Sequence, residues 1–138
     1  MIPFSQIAKD LPLNLSGSLL LDSKAGIIKY DESLDTHFEL TLHENPNSKK
    51  DNRYDYVVYI SWIQGKGQGD RLFEMILKII QNISSQNGSK IMLFYERETI
   101  SSTFFIQKLI SNGYKFIMTD SPVNYGEHGY ALFITPEA

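Results

Sequence analysis

The chain has no cysteine. This excludes disulfides, thiolate catalysis and cysteine-based metal sites, and is compatible with any compartment. No apolar run is long enough to cross a bilayer, and residues 1–15 lack the basic start and long apolar stretch of a signal peptide. A cytoplasmic protein with no membrane partner is therefore expected. Excess positive charge is missing too: 13 Lys and Arg against 16 Asp and Glu leave a net charge of −3. General nucleic-acid binding needs a basic stripe, and the small patch of Lys49, Lys50 and Arg53 is not one. The histidines His37, His43 and His128 match no metal-ligand spacing, so no metal site is expected. Hydrolase chemistry has no support, because the chain has no nucleophile elbow of the G-x-S-x-G type.

What is present is enough for one domain over residues 1–138, with 42% hydrophobic and 12% aromatic residues to build its core. Residues 4–10 read as a short helix, stopped where Leu11 precedes Pro12. Residues 18–22 and 27–30 read as short strands, and residues 37–43 alternate in strand period. Residues 44–52 hold only turn formers and charges, which predicts a solvated hairpin loop. Residues 54–60 form the fourth strand. Leu72, Met75, Ile76, Ile79, Ile80 and Ile83 then recur at helical spacing over residues 70–86, and Asn87-Gly88 supplies the stop. A strand at 90–96, a second helix ending at Asn112-Gly113, and strands at 114–118 and 130–135 complete an α/β pattern. Tyr54, Tyr56, Tyr59 and Trp62 are most simply core or sheet-face residues, although Tyr54 and Tyr56 could point together into a groove.

Between the fourth strand and the first long helix lies Gln64-Gly65-Lys66-Gly67-Gln68-Gly69. Glycines let the backbone approach an anion closely, the next helix aims its unpaired N–H groups and positive dipole end at the same point, and Lys66 adds a mobile cation. The run matches neither G-x-G-x-x-G nor the Lys-Ser/Thr pair of a nucleotide triphosphate loop. Its order is Gln/Arg-x-x-Gly-x-Gly. That order resembles the pyrophosphate-binding signature of the GCN5-related N-acetyltransferase (GNAT) superfamily, and the strand before it, the helix after it and the stretch Phe105-Ile106-Gln107-Lys108-Leu109 extend the resemblance over residues 54–118.

The resemblance implies a GNAT-like single domain: a mixed, mainly antiparallel twisted sheet with helices on both faces. It also implies transfer of an acetyl group from acetyl-coenzyme A (acetyl-CoA) to a primary amine. The segments that shape the acceptor site in the family are short here, which favours a protein or peptide amine over a small molecule; a monomer or homodimer is expected. Backbone groups of Gly65, Gly67, Gln68 and Gly69 would face the pyrophosphate, beside Gln64, Lys66 and Asp70. Tyr59, Ile60, Ser61, Trp62 and Ile63 would pair with the pantetheine arm and polarise the thioester carbonyl, and Thr99, Ser102 and Phe105 would line the cofactor from the second helix. For catalysis Asp55 ranks first as the base, with Tyr56 beside it, ahead of Glu96 and Glu98 at the sheet's C-terminal edge. The chain departs from the family at Ile106, which stands where a tyrosine commonly protonates the departing thiolate. An alternative reading therefore keeps coenzyme A binding and loses turnover.

Overall fold

The computed structural model describes residues 17–22, 24–46, 49–65, 67, 69–96, 100–122 and 127–136, with residues 100–104 described in backbone only. The expected opening helix at 4–10 lies outside them. The described residues form seven strands: β1 (Ser18–Asp22), β2 (Ile27–Ser33), β3 (Thr36–Glu44), β4 (Tyr56–Gly65), β5 (Ile91–Glu96), β6 (Ile117–Asp120) and β7 (His128–Ile134). Helix α1 (Gly69–Asn87) joins β4 to β5, and helix α2 (Ile100–Ser111) follows β5. The strands form one sheet in the order β1-β2-β3-β4-β5-β7-β6, in which only β4 and β5 run parallel. A parallel neighbour requires a crossover, and α1 supplies it.

Alternation along the strands sorts the core into two faces. On the first face Ile28, Tyr30, Phe38, Leu40, Val58, Ile60, Ile91, Leu93 and Tyr130 pack against the buried stripe of α1, the stripe anticipated from its spacing. Ile106 and Leu109 of α2 join the same cluster. On the second face Tyr54, Val57, Tyr59, Met92, Phe94 and Ala131 form a separate cluster. Both described helices thus pack on the first face, so the expectation of helices on both faces is met on one face by the described residues.

Several boundaries differ from the sequence reading. β4 begins at Tyr56 and runs through Gly65, so it enters the glycine run instead of stopping at residue 60. Because the strand starts there, alternation does not reach back to Tyr54. Tyr54 packs in the second-face cluster and Tyr56 against the first, and the two do not share a groove. Both helix stops are present, with Gly88 at φ 61 and Gly113 at φ 100.

Candidate functional site

Strand β4 carries the site because it is longer than its parallel neighbour. Pairing with β5 runs from Tyr56↔Ile91 to Ile60↔Tyr95 and ends there, while β4 continues for five residues, 61–65, paired on its other side with β3. No described strand pairs with residues 61–65 on the β5 side: the pairing ends at Ile60↔Tyr95, and β5 itself ends one residue later at Glu96. A β-bulge sits at the same level. Glu39 pairs with Trp62 and Leu40 with Ile60, so Ser61 is the extra residue. The bulge turns two consecutive side chains to the second face: Ser61 shares a 2.7 Å hydroxyl contact with Thr41, and the Trp62 ring stacks on His37 at 6.3 Å. Beyond it Ile63 packs against the first-face cluster.

The chain then turns directly into α1. Gly67 has φ 72, a left-handed conformation that L side chains rarely adopt, and a Cβ built on it would meet nothing within 4 Å. Gly69 opens the helix, and a Cβ there would lie 2.8 Å from Cε2 of Phe105. The glycines thus serve different ends: one bends the backbone beneath open space, the other lets an α2 aromatic ring close on the helix N-terminus. Phe105 is also 5.9 Å from the ring of Tyr95 and 6.1 Å from that of Phe73, so an aromatic chain ties the end of β5 to the start of α1. Asp70, favourable at a helix N-terminus, reaches Lys108 at 3.2 Å. Arg71, one residue further on, is bonded to Glu32 of β2, whose carboxylate raises the guanidinium's pKa.

Of the expected cofactor residues, the structure brings together Tyr59, Ile60, Ser61, Trp62, Ile63, Gln64, Gly65, Gly67, Gly69, Asp70 and Phe105. Their roles divide more finely than expected. Tyr59 is buried against Phe94 at 5.3 Å on the second face, and its backbone and that of Ile60 are paired with β3 on one side and β5 on the other, so the stretch open on the β5 side begins only at Ser61. Lys66, Gln68 and Thr99 lie outside the described residues, as does the side chain of Ser102. Ile106 is fully buried in the core.

The expected catalytic pair is not brought to this end. Asp55 precedes β4 and Tyr56 opens it, so Asp55 lies ten residues before Gly65, roughly 30 Å at ~3.3 Å per residue. The Asp55 carboxylate accepts the Lys90 backbone N–H at 2.8 Å, and its own N–H donates to the Lys90 carbonyl at 2.7 Å. It clips the start of β4 to the start of β5. The neighbouring charges are structural too: the Arg53 guanidinium holds the Asp51 carboxyl below its ordinary range, and burial raises the Tyr54 phenol.

Two residues of comparable chemistry stand at the other end of β5: Glu96, which the sequence reading named behind Asp55, and Tyr95, which it passed over. They are the last residues of β5, at the level where its pairing with β4 ends. As consecutive strand residues they point to opposite faces. Tyr95 faces Phe105 on the first face, while Glu96 follows Met92 and Phe94 onto the second. Among the described residues, Oε1 of Glu96 is buried with no hydrogen-bond partner. A buried polar atom left unpartnered is uncommon and calls for a ligand or a function. The available signal was position: both residues end the strand that enters the site.

Among the described residues no cluster of His, Cys, Asp or Glu is placed to hold a metal ion, and no described helix is long and apolar enough to cross a membrane. A comparison with protein-family models, curated proteins and solved structures found no match to this chain.

Proposed function

We propose that the chain is an acetyl-CoA-dependent N-acetyltransferase acting on a primary amine, of a protein or peptide in preference to a small molecule. The observation that carries this reading is that β4 runs on past the end of its pairing with β5, at a bulge, and is followed by a left-handed glycine and a helix N-terminus. An unpaired stretch of strand can hydrogen-bond an extended amide-bearing arm as a neighbouring strand would, and the glycine turn and helix end suit a pyrophosphate. The residues fit such a molecule: Gly67 lies beneath open space, and Phe105 closes one side of the turn. The strand order and the GNAT-like sequence signature support the same assignment.

When bound, acetyl-CoA supplies a thioester whose acyl carbon can be attacked by an amine. Glu96, on the second face, would accept the proton that the amine nitrogen must lose as the C–N bond forms. Tyr95, on the first face, would donate its phenolic proton to the sulfur as the C–S bond breaks, and recover it from solvent. Backbone N–H groups at the bulge would bind the carbonyl oxygen as its charge grows. Base and acid would then be adjacent residues of one strand, on opposite faces of the sheet. The alternative, coenzyme A binding without turnover, draws on Ile106: the position that the resemblance gives to the acid holds a buried core residue.

A melting experiment with acetyl-CoA tests the site. At ~100 times its Kd the ligand should stabilise the fold by about 2.7 kcal/mol, and Gly67→Val should abolish the shift. An unchanged shift in Gly67→Val places the ligand elsewhere. Release of coenzyme A thiol on adding amine then separates enzyme from binding module.

A further inference from the structure

On the second face, beside the bulge, the side chains of three strands form a regular lattice. Cross-strand register sets Lys29, Glu39 and Trp62 in one row and Asp31, His37 and Gln64 in the next. With Ser61 and Phe38, five of these six line a groove of about 400 Å³. Lys29 reaches Glu39 at 3.6 Å, which offsets one carboxylate, while Asp31 has no ion-pair partner among the described residues. Trp62, the chain's only tryptophan, is 55% exposed although its ring is stacked on His37 with an interplanar angle of 7°. A large aromatic ring held rigid and open to solvent beside carboxylates is the arrangement that attracts organic cations.

The geometry points to this groove as a cation subsite that holds a second, non-reacting positive charge of the acceptor. The acceptor is then a basic peptide with a Lys or Arg close to the amine that is acetylated. That the cation belongs to an acceptor rests on the transferase reading; the groove's affinity for cations does not. The spacing is suitable. Glu96 lies one residue beyond the Ile60↔Tyr95 pair, level with Ser61 and on the face that carries the groove. Across the sheet Trp62 stands one strand from Glu96 and Asp31 three, roughly 5 and 14 Å at ~4.8 Å per strand spacing, a span that the long side chains of nearby residues in an extended basic peptide cover.

The lone tryptophan makes the groove directly observable. Titration of the full chain with an N-acetylated, C-amidated tri-lysine peptide should change Trp62 emission and release measurable heat. Asp31→Asn combined with Glu39→Gln should weaken the affinity about tenfold while leaving the acetyl-CoA melting shift unchanged. Spermidine, titrated in parallel, separates a free polyamine from a peptide; tighter binding of spermidine overturns the peptide assignment. Neither heat nor an emission change with either probe overturns the subsite, and so does wild-type affinity in the double variant. The two readings fail separately. Cation binding without an acetyl-CoA shift removes the transferase and, with it, the acceptor role. An acetyl-CoA shift without cation binding removes only the groove.

Discussion

At the scale of single residues, the site depends on which way a side chain faces at one end of a strand. Asp55 had the right chemistry for a base, but its carboxylate is committed to the Lys90 N–H at the far end of β4. Glu96 and Tyr95 share the end where the β4–β5 pairing stops. Glu96→Gln preserves shape and removes the proton acceptor, so turnover should fall about 10²–10⁴-fold with the acetyl-CoA melting shift retained, and should recover in part at high pH, where the amine deprotonates unaided. Tyr95→Phe should also lower turnover, and it should leave the acceptor KM unchanged. Asp55→Asn should keep near-normal turnover. If Asp55→Asn loses activity as Glu96→Gln is expected to, and Glu96→Gln does not, the base has been placed at the wrong end of the sheet.

At the scale of elements, α1 and α2 are joined at the glycine turn. The ring of Phe105 lies where a Gly69 side chain would be. Alanine is ordinarily preferred to glycine in a helix by up to about 1 kcal/mol, yet Gly69→Ala must displace that ring. The substitution should therefore cost stability in the wild-type background and cost less, or become favourable, with Phe105→Leu. Urea unfolding of the two single variants and the double variant measures the coupling. Additive changes would mean that the ring yields freely and that the contact does not hold the turn.

Across the whole molecule, one sheet carries two cores, and the larger lies under α1. Ile79 and Phe94 are both fully buried, one on each face. Ile79→Ala should cost about 2–5 kcal/mol, and Phe94→Ala about 3–5 kcal/mol. Because the strands between the faces are shared, each variant should unfold in a single transition with the wild-type denaturant slope, recorded by circular dichroism. A second transition in Phe94→Ala would show that the second face melts on its own.

Much of this architecture was legible in the sequence because its signals are local. The apolar spacing of α1, the alternation of β3 and the Asn-Gly stops depend on neighbours within one or two turns, and the structure has each of them. The glycine run likewise pointed to its own place between strand and helix. Register and facing could not be read in the same way. The bulge at Ser61, the end of the β4–β5 pairing at Ile60, and the opposed directions of Tyr95 and Glu96 arise from the fit of β4 between two neighbours of different direction and length. The lattice of Lys29, Glu39, Trp62, Asp31, His37 and Gln64 joins residues from three strands, and no spacing along the chain marks them as neighbours. The sequence by itself determined which elements form and where the glycine turn lies, because short-range sterics and hydrogen bonding settle both. Only the tertiary structure decided which side chains meet there, because strand register is a property of pairs of strands.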